Sequence, residues 1–122
     1  MKTRAVASLA GLTLAATVAA VTLASPAYAD TYRGHTELAG CQATLYSTYS
    51  NGHDYVKYVA STGQWGCSVF LRTWIGPNSY DHDLTGLSPY QSASSGWYYD
   101  AGVKTQACVQ LSSVDIYCTT AY

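Results

Sequence analysis

Two alternating runs flank an Asn-Gly pair, and no other feature of the chain constrains its fold as much. Gln42-Ala43-Thr44-Leu45-Tyr46-Ser47-Thr48-Tyr49 and Asp54-Tyr55-Val56-Lys57-Tyr58-Val59-Ala60 alternate in character, which is the period-two pattern of half-buried strands. Between them Asn51-Gly52 tolerates the positive φ that a two-residue type I′ turn demands. So short a turn fixes the register: Tyr49 opposes Asp54, Ser47 opposes Val56, Leu45 opposes Tyr58 and Ala43 opposes Ala60. Cys41, Ala43, Leu45, Val56, Tyr58 and Ala60 then share a face turned to the core. Thr44, Tyr46, Thr48, Tyr55 and Lys57 take the other side.

A turn around Gly63-Gln64-Trp65-Gly66 leads to a third strand, Cys67 to Ile75. It places Cys67, Val69, Leu71, Thr73 and Ile75 on one face and Phe70, Arg72 and Trp74 on the other. Gly76 to Gly96 is rich in Gly, Pro, Ser and Asn and reads as a long connection holding a short edge strand at Leu84-Thr85-Gly86-Leu87 with Pro89-Tyr90. Trp97-Tyr98-Tyr99 opens another strand, and Gly102 marks a bulge. Strands over 103–111 and 115–121 meet at Ser112-Ser113-Val114. Six or seven short strands, without repeats or helical periodicity, predict an all-β fold: a small antiparallel β-sandwich.

Residues 1–29 carry Lys2 and Arg4, then an apolar run, then Ala27-Tyr28-Ala29. Charged start, apolar middle and small residues at the cleavage positions define a secretory signal peptide, so the mature protein is expected to begin at Asp30 and to be secreted. Taking 29 residues from 122 leaves 93, in which four bases face seven acids for a net charge of -3. The bases Arg33, Lys57, Arg72 and Lys104 are scattered, which excludes a phosphate-binding surface and therefore nucleic acid as a partner. No membrane association is expected once the leader is removed. Residues 30–40 read as a flexible N-terminal arm ahead of a domain spanning 41–122, with Tyr32, Arg33 and Leu38 as candidate docking residues.

A domain this small calls for covalent support. Cys41, Cys67, Cys108 and Cys118 all lie in the mature part, where export favours disulfides. Four cysteines allow three pairings. With Cys67 facing the core beside Cys41, a bridge between them staples the first sheet. Strands meeting at Ser112-Ser113-Val114 bring Cys108 opposite Cys118. No C-x-x-C occurs, and His35, His53 and His82 stand at no ligand spacing from a cysteine, so no metal is expected.

No nucleophile, metalloprotease or phosphate-loop motif is present, and neither an enzyme nor a cofactor is expected. Asp81-His82-Asp83, the one acidic and histidine cluster, reads as a solvated polar loop, and His53 as a hairpin corner. The surplus lies in aromatics, with twelve Tyr and three Trp. Tyr and Trp offer apolar area with a polar tip at little entropic cost, which suits recognition. The candidate binding face joins Tyr46, Tyr55, Arg72 and Trp74, with Trp97, Tyr98 and Tyr99 contributing from another strand and Phe70 assigned to the core.

The leader, the four cysteines, Gly66-Cys67-Ser68-Val69 and the ending Ala107-Cys108-Val109 through Tyr117-Cys118-Thr119 resemble the short secreted proteins of filamentous actinobacteria. Within that pool the overall plan resembles the β-sandwich adaptor of secreted umbrella-toxin particles. The resemblance implies a link between a lectin-like subunit and a large toxin chain, with residues 30–40 as the docking arm. The plan also resembles the tendamistat type of amylase inhibitor, a two-disulfide β-sandwich. Its Trp-Arg-Tyr triplet is missing here, Arg72-Thr73-Trp74 being the nearest match. The expected function is a secreted, non-catalytic protein-binding module, an adaptor or accessory subunit of an extracellular complex. An enzyme inhibitor and a carbohydrate-binding module are the alternatives.

Overall fold

The computed structural model describes residues 30–122; the signal-peptide assignment to 1–29 lies outside the described residues. Among the described residues nine strands run in the order β1 (Thr31–Leu38), β2 (Cys41–Ser50), β3 (His53–Ser61), β4 (Cys67–Ile75), β5 (Asn78–Leu87), β6 (Ser92–Ser94), β7 (Tyr98–Tyr99), β8 (Lys104–Gln110) and β9 (Ile116–Cys118). Six of them have seven residues or more, and the other three are short. They form two antiparallel sheets. The first holds β1-β2-β3-β6 with β7 also pairing β3, and the second holds β5-β4-β8-β9.

The central hairpin has the register that its turn dictates: Tyr49↔Asp54, Ser47↔Val56, Leu45↔Tyr58 and Ala43↔Ala60. Asn51 and Gly52 sit at φ 53° and 80°. The left-handed conformation is nearly free for Gly and tolerable for Asn, so these two residues set the pairing of the whole hairpin. Cys41, Ala43, Leu45, Val56, Tyr58 and Ala60 from the first sheet pack against Val69, Leu71, Leu87, Ala107 and Val109 from the second. Burying each large aliphatic side chain contributes about 1.5–3 kcal/mol.

Both expected disulfides are present, Cys41–Cys67 and Cys108–Cys118. The first does not staple one sheet as expected. Because β4 belongs to the second sheet, Cys41–Cys67 ties the two sheets together. Alternation assigns a strand's faces but says nothing of which sheet it joins. Cys108–Cys118 links directly paired residues of β8 and β9.

Two segments depart from the expectations. The proposed arm is largely strand: Thr31–Leu38 pairs along β2, with Thr36 and Leu38 opposite Ala43 and Cys41. Arg33 stays exposed but is tied down, donating from Nε to Ser47 Oγ at 2.8 Å and from Nη2 to the Tyr122 hydroxyl at 3.1 Å. An unpaired β2 edge has backbone groups to satisfy, and β1 satisfies them despite its polar composition. The long connection contains the ten-residue strand β5, joined to β4 through Gly76-Pro77. Gly76 adopts φ 60° there. Asp83 is left-handed at φ 58°, opposite a register shift between Val69 and Leu71.

Candidate functional site

The outer surface of the first sheet gathers aromatic side chains in rows across its strands. Register places Tyr32 beside Tyr46 and Tyr46 beside Lys57. The next row runs from Thr48 to Tyr55 to Tyr99. Directly paired residues share a face, so strand pairing builds this surface from residues far apart in sequence. Tyr32 packs edge-on against Tyr46 at 6.4 Å, and Tyr99 packs edge-on against both Tyr55 at 5.8 Å and His53 at 5.1 Å. Such pairs contribute about 0.5–1.5 kcal/mol each beyond burial and hold the rings in place. The Tyr99 hydroxyl also bonds His53 Nδ1 at 3.2 Å.

Trp97 completes the face. The Lys57 ammonium lies 4.6 Å from its ring centroid and 3.4 Å from Asp30 Oδ2, so this charge is balanced where it meets the aromatic. Asp30, Thr48, Ser50, Tyr55 and Trp97 line a cavity of about 340 Å³ opening onto the face. Tyr32 and Tyr99 are 61% and 57% exposed, so much of the aromatic area meets solvent. Ring faces for apolar contact stand beside hydroxyls, a carboxylate and an ammonium able to fix an orientation.

The seven expected binding residues do not form one surface. Tyr46, Tyr55, Trp97 and Tyr99 come together here. Tyr98, paired with Val56, turns inward and packs against the core. Arg72 and Trp74 lie on the outer face of the second sheet, across the sandwich. Both are engaged there: Arg72 donates from Nε and Nη2 to the Asp81 carboxylate at 2.8 and 3.2 Å, and Trp74 Nε1 donates to Gln106 Oε1 at 2.7 Å. Phe70 is buried as expected, opposite Cys108 and beneath the Arg72 guanidinium. A second cavity, of about 430 Å³, is walled mainly by turn residues Gly76, Gly102 and Val103 with Trp74 and Lys104.

Of the docking-arm residues, Tyr32 joins the aromatic face, Leu38 packs against the core, and Arg33 stays exposed while bonded to Ser47 and Tyr122. Tyr32 belongs with Tyr46 through strand pairing, so only reading 31–38 as a strand would have placed it there. Thr48 and Ser50 are hydroxyls on a strand and carry no distinguishing signal in the sequence, and nothing in its spacing ties Asp30, just ahead of β1, to Trp97.

Asp81-His82-Asp83 is strand rather than loop. Asp81 holds Arg72 outside, and His82 turns inward to Thr73, its Nε2 lying 2.9 Å from Thr73 Oγ1. Burial lowers the His82 pKa, against the opposing pull of Asp83 and Asp81. Among the described residues no three His, Cys, Asp or Glu side chains stand together as a metal site. The chain matches no family model, no curated protein and no solved structure.

Proposed function

We propose that the chain is a secreted, non-catalytic protein-binding module, an adaptor or accessory subunit of an extracellular complex, that engages its partner through the outer face of the first sheet. The observation that carries this reading is the grouping of Tyr32, Tyr46, Tyr55, Trp97 and Tyr99 on one sheet surface, with Tyr32 and Tyr99 largely exposed. Rigid aromatic side chains supply contact area at low entropic cost, and rings with polar tips dominate the energetics of protein interfaces. Two disulfides suit an oxidising environment and hold the backbone beneath the face. The resemblance in overall plan to umbrella-toxin adaptors supports a toxin-chain or lectin-like partner.

The test is affinity capture from the producing organism's culture medium, using the disulfide-intact protein as bait beside two variants. Wild type and an opposite-face variant, Trp74→Ala, are expected to recover the same partner in stoichiometric amount, and Tyr46→Ser/Tyr99→Ser is expected to lose it. Recovery of nothing by wild type, or equal recovery by all three baits, refutes the reading.

The cavity favours a second reading. Trp97 and Tyr55 beside Asp30, Thr48 and Ser50 match the chemistry of a sugar ring, whose C–H faces pack on aromatics while its hydroxyls pair with carboxylates and hydroxyls. Binding on a glycan array that Trp97→Ala abolishes would favour this alternative.

A further inference from the structure

We propose that Asp100 is a pH-sensitive latch on the Trp97–Tyr99 segment, holding the recognition face in place when its carboxyl is neutral and loosening it when the carboxyl carries charge. The proposal concerns the regulation of the face described above and rests on that reading of it.

Asp100 follows Tyr99 directly, and its N–H donates to the Asp54 carbonyl at 3.0 Å. That bond continues the pairing of β7 with β3, a strand of only two residues that carries Tyr99 and adjoins Trp97. So short a strand makes few backbone bonds of its own, and apart from the Tyr98 ring packed on the core its ends hold it docked. On the upstream side Ser95 N–H donates to the Tyr58 carbonyl at 3.0 Å. Downstream, the tether is Asp100.

The Asp100 side chain sits between the sheets with the residue only 5% exposed, accepting a 2.6 Å hydrogen bond from the Thr105 hydroxyl. Its charged neighbours are few. Asp54 on β3 repels it and Lys104 on β8 attracts it. The Tyr122 hydroxyl reaches the Asp54 carboxylate at 3.4 Å and is itself held by Arg33 of β1. From β5, His82 connects through hydroxyls, with Asp83 next to it and the Tyr98 ring of β7 edge-on at 4.8 Å. Burial, the largest influence, pushes the Asp100 carboxyl up to about 6; the Thr105 bond opposes it, Asp54 adds to it and Lys104 opposes it.

The hydroxyls between Asp100 and His82 have a direction. Each carries one proton, so Thr105, donating to the Asp100 carboxylate, has its oxygen free to accept from Thr73 at 3.3 Å; Thr73 in turn accepts from His82 Nε2 at 2.9 Å. Protonating Asp100 supplies a donor at the other end and permits the row to reverse, so that His82 Nε2 accepts. The charge state at the tether is thereby transmitted across the core to the ring packed on Tyr98. Charging Asp100 sets a buried anion against the Asp54 carboxylate, on the very residue whose carbonyl holds the segment. The segment is the part able to move away from that repulsion.

The sign and size of the effect follow from linkage. A segment that opens frees a carboxyl of ordinary pKa, 3.8, from a site where it is about 6, so ionisation favours opening. Between pH 5 and 7.5 the closed-to-open ratio falls about tenfold for a shift of this size.

The test needs no partner. In the disulfide-intact protein labelled with nitrogen-15, the Trp97 indole and the Tyr99 and Asp100 amides are expected to titrate together with a midpoint near 6. Protection of the Asp100 amide from hydrogen exchange, corrected for the intrinsic rate, is expected to fall about tenfold from pH 5 to 7.5. The Trp65 indole, on the β3–β4 loop, serves as the unmoving reference. Asp100→Asn should abolish the exchange response and the Trp97 titration, the Tyr99 amide being read against Trp97 because the His53 ring of β3 also packs on it. Thr105→Val, which removes the hydroxyl favouring the charged form, should raise the midpoint and keeps the proposal testable if the first variant does not fold. Silent Trp97 and Tyr99 signals, or signals unaltered in both variants, overturn the latch. A face that titrates but captures no protein removes the recognition reading alone, and a face that captures protein without titrating removes the latch alone.

Discussion

Removing the two disulfides one at a time should destabilise the protein unequally, and the order is set by their positions. Cys41–Cys67 closes a loop of sequence separation 26 and Cys108–Cys118 one of 10. Chain-entropy arithmetic converts these separations into about 3.5 and about 2.7 kcal/mol, a difference of about 0.8 kcal/mol. Each pair is replaced as a double variant, Cys41→Ala/Cys67→Ala and Cys108→Ala/Cys118→Ala, so that no free thiol confuses the comparison. Urea unfolding followed by tyrosine and tryptophan fluorescence gives the two free energies and their slopes. The sheet-to-sheet bridge should cost more. Its loss should also raise the slope, because a longer stretch of the unfolded chain is released to solvent. A larger loss from Cys108–Cys118 would refute the entropic reasoning and point instead to native packing, since Cys108 is fully buried beside Phe70. Losing both bridges removes about 6 kcal/mol, comparable with the whole stability of a small domain.

Asp100 also makes stability depend on pH. Its folded pKa, about 6, lies above the ordinary 3.8, so its favourable contribution is present in full below 3.8 and is lost as pH rises through 6. At about 1.36 kcal/mol per unit, Asp100→Asn should be more stable than wild type by up to about 3 kcal/mol at pH 8 and nearly equal to it at pH 4. His82, with a lowered pKa, runs the other way, losing stability as pH falls below 6.5; the wild-type-minus-variant difference reports Asp100 together with its coupling to His82, and a flat difference curve would sink the prediction. Gly66→Ala would place a Cβ 2.5 Å from the Leu87 carbonyl oxygen, so backbone must shift next to Cys67. Thermal unfolding should register a loss of about 1–3 kcal/mol, and an unchanged midpoint would show that the loop absorbs the methyl freely.

The hairpin was legible because the turn signal and the alternation agree. Asn51-Gly52 fixed one pairing, and the other pairs of β2 and β3 followed. The β4 faces were equally clear from Val69, Leu71 and Thr73 against Phe70, Arg72 and Trp74. The partner sheet of β4 was not, and that single ambiguity set Arg72 and Trp74 on the same surface as Tyr46 and Tyr55. β5 was hidden by composition: Asn78, Ser79, Asp81 and Asp83 resemble a loop, because an edge strand exposed along most of its length has little apolar pattern to show. β1 was hidden for the same reason. Asp100 carried no signal, since its burial depends on Thr105, Asp54 and the arrangement of both sheets around them.

The left-handed residue in β5 bears on how the protein behaves when crowded with its own copies. An exposed edge strand of ten residues is a template on which an identical chain can add, and repetition of that step builds fibres. Asp83 interrupts the template near its middle, and Asp81 and His82 put ionisable side chains beside the break. An incoming strand can match the backbone on one side of the kink but not across it. What looked like a polar connection therefore acts as a stop signal against polymerisation, written into the strand where the second sheet is open.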